Sequence, residues 1–350
     1  MKHGKKLLAL LMALTLVMLP LAGCADEGED VQEDGQQNGQ EDGQQEGTDQ
    51  LRDVTVILDY TVNTNHTGMY VAQKLGYYEE QGLNVSIIEP ADGVTPTLIA
   101  TGKGDFGVSY QEDVTYGRAS EDPLPVKAIA ALIQHNTSGF ASAADKNITS
   151  VKDFEGKVYA GWGSPSEEAI IRAVMEEAEA DFSKLTMVTS DSATYHGLND
   201  DQYDLIWMFE AWDGVAAARD GVELNYIELR DLDERLDYYT PILIASETMI
   251  EQEPETVRAF LAATEKGYRY AIENPEEAAG ILHETASTYD LEMLVQSQEL
   301  LATKYMEDSE TWGTMKEEVW TNYTDFMLDS GLITVDVPAN ECFTNEFLPQ

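Results

Sequence analysis

From Val54 to Ala245 short apolar runs alternate with amphipathic stretches, and beyond Pro254 the alternation gives way to an almost purely helical pattern. Apolar residues spaced two apart and then at helical spacing, in repeated succession, predict an α/β fold, because such strands bury their faces under the helices that follow them. Strands are predicted over 54–58, 84–88, 105–109, 126–133, 186–189, 203–209, 225–229 and 239–245, and helices over 67–81, 94–101, 113–119 and 167–180. Gly82 stands where a helix C-terminus takes a left-handed residue, and the Ser- and Ala-rich stretch 134–144 reads as irregular. A first α/β unit, a second one opening at 150–160 and a helical return together predict two lobes joined by two crossings, near Ser138–Ala144 and Tyr239–Ala245. No repeat of solenoid period is visible.

The N-terminal end constrains where such a chain works. Lys2, Lys5 and Lys6 precede an apolar run from Leu7 to Leu19, and Leu21-Ala22-Gly23-Cys24 follows. A basic start, a short apolar core and small residues before a cut describe a secretory signal over 1–23, too short for a membrane span of about 20 apolar residues. Residues 25–50 are Asp, Glu, Gln and Gly with little apolar content, so a disordered tether over 24–51 is expected. The chain carries 65 acidic residues against 21 lysines and arginines, a formal net charge of −44. That balance disfavours nucleic-acid binding, which calls for basic patches, and fits a solvated acidic surface suited to salty or alkaline surroundings. After Cys24 only Cys342 remains, so no disulfide framework or cysteine metal cluster can form. The plainest reading of Cys342 is an exposed thiol near a frayed C-terminus.

Four segments together resemble one family: Asn63-Thr-Asn-His-Thr-Gly68, Lys74-Leu-Gly-Tyr-Tyr-Glu-Glu-Gln-Gly-Leu83, Asp105-Phe-Gly-Val-Ser109 and Asp237-Tyr-Tyr-Thr-Pro-Ile-Leu-Ile244. It is the solute-binding lipoproteins of ABC importers related to the thiamine pyrimidine synthases, and within it the branch that binds a formylated aminopyrimidine precursor. The resemblance spans 53 to about 335. It implies a type II periplasmic-binding fold, with lobe I over 52–138 and 245–335, lobe II over 139–244 and a tail over 336–350. The Leu-Ala-Gly-Cys ending resembles a bacterial lipobox, which implies a lipid on Cys24 and a protein anchored to the extracytoplasmic face of the cell membrane. The implied partners are a small-molecule solute, a flat nitrogen heterocycle above all, and an ABC permease with its ATPase; a monomer without cofactor or metal is expected. The enzymatic branch carries a Lys and a His in the pattern Gly-x-Lys-x-x-x-His and a later cysteine cluster. Here that stretch reads Gly107-Val-Ser-Tyr-Gln-Glu-Asp113, with Ser109 and Asp113 in those places, and Tyr238-Tyr-Thr-Pro241 has no cysteine. A second departure is Tyr60-Thr-Val62, where the pyrimidine binders usually show a tryptophan and a proline. Riboflavin, or a nitrate, sulfonate or taurine-type solute, stays open as an alternative.

Candidate ligand contacts follow from strand ends. Polar groups at the carboxyl ends of strands, beside helix N-termini, are where open α/β sheets hold small ligands. Tyr60 follows the first strand and offers a ring to a flat solute or closes the sheet edge. Asn63 and His66, with Asn65, offer donors and acceptors or cap the helix starting near Thr67. Ser109 and Glu112 stand at the end of the third strand, where Glu112 and Asp113 also favour a helix N-terminus. In the second unit, Gly161-Trp-Gly-Ser-Pro-Ser-Glu-Glu168 opens a helix; glycines allow close backbone approach and helix amides form a polar edge whose usual guest is an anion. Trp162 there is a stacking platform, with Gly163 beside it. Glu210, after the strand 203–209, can accept paired hydrogen bonds from an exocyclic amine and a protonated ring nitrogen, or else pairs with an arginine. Tyr238 and Tyr239, at the return, are hinge residues or ligand contacts.

Overall fold

A computed structural model describes residues 51–90, 94–190 and 193–349. The expected signal, tether and Cys24 lie outside those residues. The described chain forms two five-stranded sheets. The first contains β1 (Arg52–Ile57), β2 (Leu83–Ile88), β3 (Phe106–Ser109), β4 (Val126–Ala131) and β10 (Ile242–Ser246), in the order β2-β1-β3-β10-β4. The second contains β5 (Ser138–Ala143), β6 (Val158–Gly161), β7 (Thr186–Thr189), β8 (Leu205–Phe209) and β9 (Leu224–Glu228), in the order β7-β6-β8-β5-β9.

The two sheets are built alike. In each, three strands joined by helices run parallel, as β2-β1-β3 and β7-β6-β8 do. The fourth strand runs antiparallel to both neighbours, and it is the first strand after a crossing: β5 on the way out, β10 on the return. A strand entering from the other lobe arrives at the cleft end and so runs against the strands that leave there. The chain crosses between Ala131 and Ser138 and returns between Glu228 and Ile242.

Strand β5 falls in the stretch read as irregular. Its sequence, Ser-Gly-Phe-Ala-Ser-Ala, lacks the β-branched residues that mark strands, yet all six residues are buried. Small side chains are what a strand covered on both faces can carry: a Cβ on Gly139 would lie 2.4 Å from the Ile227 carbonyl oxygen. The predicted helix over 67–81 is two helices, Thr67–Lys74 and Tyr77–Glu80, because Gly76 adopts φ +77 between them. Cys342, read as an exposed thiol, is buried beside Trp320 and Ile242 in the core of the first sheet. Burial pushes its thiol pKa up to about 12, which makes it an unreactive packing residue.

The helices Pro254–Glu273, Pro275–Thr285 and Leu291–Ala302 pack into the core of lobe I. Phe260 stacks on Phe106 of β3 with ring centroids 4.0 Å apart. The helix Thr67–Lys74 crosses Pro254–Glu273 at two glycines: a Cβ on Gly68 would meet the Tyr268 ring at 2.3 Å, and one on Gly267 would meet the Gly68 carbonyl oxygen at 1.9 Å. The glycine that ends Asn63-Thr-Asn-His-Thr-Gly68 is thus required by helix packing.

Candidate functional site

The chain leaves β1 through Asp59 and Tyr60 and turns at Asn63. Asn63 Oδ1 accepts the Asn65 amide at 2.9 Å, and the Asn63 amide donates to His66 Nδ1 at 3.2 Å. This capping box starts a 3-10 turn, Thr64–His66, which runs on into the helix Thr67–Lys74. Because His66 Nδ1 is an acceptor, the ring proton sits on Nε2, which lies 2.7 Å from Asp59 Oδ1. The Tyr110 hydroxyl donates to Asp59 Oδ2 at 2.7 Å. Burial alone would raise the Asp59 carboxyl, but the hydrogen bonds from His66 and Tyr110 hold it below the usual carboxylate range. His66 is fully buried with both ring nitrogens engaged, so it orients Asp59. Behind the corner, Tyr305 donates to the Thr64 carbonyl and Tyr268 to the Asn65 carbonyl, each at 2.7 Å.

At the end of β3 the chain enters the helix Gln111–Ala119. Ser109 Oγ donates to Asp113 Oδ2 at 3.1 Å. Burial and the neighbouring Glu112 push the Asp113 carboxyl up to about 6. Asp113 lines a cavity of about 360 Å³ together with Val94, Pro96 and Tyr116. Glu112 reaches the other lobe: its Oε1 accepts the Ser166 hydroxyl at 2.7 Å, and its Oε2 accepts the Tyr323 hydroxyl at 2.8 Å. Burial raises the Glu112 carboxyl and these two donors counter only part of that.

In lobe II the helix Pro165–Glu177 is capped by Ser164, whose Oγ accepts the Glu167 amide at 3.1 Å. The glycines before it make room for a side chain of the same chain. A Cβ on Gly161 would lie 1.7 Å from Glu167 Oε1, and the Gly163 amide donates to Glu167 Oε2 at 2.6 Å. Trp162, between them, is 48% exposed and leans edge-on against Trp207, centroids 5.3 Å apart. The Trp207 indole nitrogen is buried without a partner.

Phe209 ends β8, and Glu210–Gly214 forms one turn of π-helix, a geometry enriched at functional sites. The Glu210 amide donates to the Thr137 carbonyl at 3.1 Å. Its carboxylate has no arginine or lysine partner among the described residues. The same turn touches lobe I: Trp212 packs edge-on against Tyr289 at 5.0 Å, and Ser297 donates to the Ala211 carbonyl. Tyr239 is directed into lobe I, where its hydroxyl accepts the Lys316 amide at 2.8 Å and its own amide donates to Gln111 Oε1 at 2.9 Å. Tyr238 stacks on Tyr323 at 4.2 Å, beside Glu112.

Among the described residues the exposed aromatic side chains are Tyr60, Trp162 and Phe209, and each follows or ends a strand: β1, β6 and β8. Exposed aromatic surface confined to strand ends is the lining expected of a site for a planar molecule. Four carboxylates also follow strand ends: Asp59 after β1, Glu112 and Asp113 after β3, and Glu210 after β8. Of these, Asp59, together with Tyr110, Ser166 and Tyr323, was not proposed as a contact from sequence, and Asp113 was read as a helix-start residue and as a departure from the enzymatic pattern. For Asp59, Tyr110 and Ser166 the local sign was a run of polar residues after a strand; Tyr323 lies inside the helix Glu317–Asp329 and had none.

Comparison with known proteins adds four findings. A model of the NMT1/THI5 like family matches residues 63–278. The formylaminopyrimidine-binding protein of Halalkalibacterium halodurans is 26% identical over 301 residues, 84% of this chain and 90% of that protein. A 4-amino-5-hydroxymethyl-2-methylpyrimidine phosphate synthase of Legionella pneumophila is 27% identical over 316 residues, 85% of this chain and 92% of that one. Among solved structures, the periplasmic aliphatic sulphonate binding protein SsuA of Escherichia coli matches with a TM-score of 0.66 at 15% identity, over 83% of this chain and 96% of that chain. At that identity the likeness concerns the fold, a two-lobed type II periplasmic-binding architecture.

Proposed function

The chain belongs to the NMT1/THI5 like family, and from that premise we propose that it is the extracytoplasmic solute-binding component of an ABC importer, taking up a thiamine-type aminopyrimidine. The observation that carries the reading is the set of three exposed aromatics, Tyr60, Trp162 and Phe209, at the strand ends of both lobes. A flat heterocycle stacks on such rings. Glu210, free of a cationic partner among the described residues, accepts hydrogen bonds from an amine and a ring N–H. The likeness to a formylaminopyrimidine-binding protein supports the solute class. The lipid on Cys24 would keep the protein beside its permease, with the acidic tether providing reach.

Binding rather than synthesis is favoured by what stands at the end of β3. Ser109 and Asp113 are bonded to each other at 3.1 Å, where the enzymatic pattern has Lys and His, and neither supplies an amine for a Schiff base with an aldehyde cofactor. Native mass spectrometry of the purified protein, followed by calorimetric titration with aminopyrimidines, tests the reading. A retained or added aminopyrimidine should bind, with affinity lost in Glu210→Ala; failure of every aminopyrimidine to bind, with riboflavin binding instead, would reassign the solute. An absorbance change on adding pyridoxal phosphate with substrate turnover would overturn the non-enzymatic role.

A further inference from the structure

The lobe II corner has the shape of an anion site, yet side chains of the chain itself already take the Gly163 and Glu167 amides and the Ser166 hydroxyl. At the start of the helix Pro165–Glu177, Pro165 has no N–H, and the Glu167 amide is taken by Ser164 Oγ at 3.1 Å. The Gly163 amide is taken by Glu167 Oε2 at 2.6 Å. Glu167 is 1% exposed and its Oε1 accepts the Tyr159 hydroxyl at 2.5 Å, so it is a fixed part of the wall. The Ser166 hydroxyl points across the cleft to Glu112 Oε1 at 2.7 Å. The positive end of this helix therefore faces two carboxylates, one from each lobe. Both oxygens of Glu112 are hydrogen-bonded to hydroxyls, Ser166 and Tyr323, which favour its ionised form against the burial that raises its pKa. Among the described residues no lysine or arginine is bonded to Asp59, Glu112, Asp113, Glu167 or Glu210.

We propose that Glu112 is a specificity residue that excludes anions: reaching from lobe I to Ser166, it occupies the place at the helix start where a phosphate or sulfonate would bind, so the cleft takes neutral or protonated heterocycles and rejects their phosphate esters. The preferred solute rests on the function proposed above; the rejection of anions does not. A phosphoryl group at Ser166 would have to displace a carboxylate that two hydroxyls hold, and would meet Glu167 directly behind it. Like charges brought together in this way cost affinity far beyond what one hydrogen bond returns.

The test reads inorganic phosphate and methanesulfonate by thermal shift and calorimetry, then 4-amino-5-hydroxymethyl-2-methylpyrimidine against its monophosphate. The unaltered protein should gain no stability from millimolar phosphate or methanesulfonate and should prefer the free pyrimidine to its ester. Glu112→Gln should gain phosphate binding by about tenfold or more and narrow the preference for the free pyrimidine by a similar factor. Glu112→Met, of similar length and uncharged, guards against a fold lost through the amide. Ser166→Ala keeps the charge and should gain nothing, which separates charge from a lost hydrogen bond. Phosphate or methanesulfonate binding to the unaltered protein, or folded Glu112 variants that gain none, overturns the proposal. If the free pyrimidine itself does not bind, the solute assignment fails while the phosphate arm still decides the role of Glu112.

Discussion

His135 Nδ1 lies 2.6 Å from Asp237 Oδ2, and this contact ties the outgoing crossing of the chain to the returning one. The other ring nitrogen lies 3.0 Å from Asp308 Oδ1, and the Asn136 amide donates to Asp237 Oδ1 at 2.9 Å. The hydrogen bond to Asp237, against some desolvation, raises the His135 pKa above its ordinary value, while His135 lowers that of Asp308. A histidine with a raised folded-state pKa contributes stability that is full below its unfolded value, about 6.5, and is lost as pH rises through the folded value. Asp308 sets the opposite limit, its share fading as pH falls below the usual aspartate range. His135→Gln should therefore lower the melting temperature near pH 5.5 and have a smaller effect at pH 8.5. An equal loss at both pH values would show that the imidazolium is not what holds the crossings together.

Asp113 has a linkage of the same sign as His135, although it is a carboxyl. Burial and Glu112 push its carboxyl up to about 6, so the folded protein binds a proton more tightly there than the unfolded chain does. Its contribution is most favourable below about pH 4 and is lost as pH rises through about 6. Asp113→Asn, which can still accept from Ser109, should stabilise the protein at pH 7.5 by up to about 2–3 kcal/mol and have little effect at pH 4. Urea titrations at the two pH values check this; destabilisation at pH 7.5 would mean that the carboxylate is satisfied by groups other than Ser109.

Trp162 is half exposed against Trp207 and is free to lie against a solute. Stacking of a base on an aromatic side chain contributes about 1–3 kcal/mol, so Trp162→Ala should weaken aminopyrimidine binding by roughly 5- to 150-fold, with little change in melting temperature. Trp162→Phe should recover part of the loss. Calorimetry separates this from a structural role: a collapse of stability without a change in affinity would make Trp162 a cover for Trp207.

How legible these features were depends on the range of the contacts that create them. Strands β1 to β4 show in sequence because their apolar runs are local. Strand β5 does not, because its residues are small and Gly139 is so for a tertiary reason, the close approach of β9 and its Ile227 carbonyl. Trp162 stood out because it lies between two glycines, but the reason for Gly161 is the carboxylate of Glu167, six residues on. Glu112 carries an ordinary helix-start signature; its other roles come from Ser166 and from Tyr323, which lies 211 residues away. Tyr239 could be placed at the return by sequence, but its direction, into lobe I toward Lys316, required the fold.

The glycine crossing behind the Asn63–Gly68 corner yields the strongest stability prediction. Tyr268, whose ring a Cβ on Gly68 would meet at 2.3 Å, is fully buried, stacks on Trp312 at 5.1 Å and donates to the Asn65 carbonyl at 2.7 Å. It cannot move aside without pulling on that carbonyl, and with it the turn that presents Asn63 and Asp59. Gly68→Ala should therefore destabilise the protein by about 3 kcal/mol and also weaken solute binding. Gly267→Ala should be worse, because the obstacle at 1.9 Å is the Gly68 backbone oxygen and not a side chain. Gly82→Ala is the control: it has nothing within 4 Å and only its φ of +76 to oppose the change, a cost of about 1 kcal/mol. Urea denaturation of the three variants should rank Gly267 above Gly68 and Gly68 above Gly82. If Gly68→Ala unfolds like the unaltered protein, the helix crossing has slack, and the corner is held by its capping box alone.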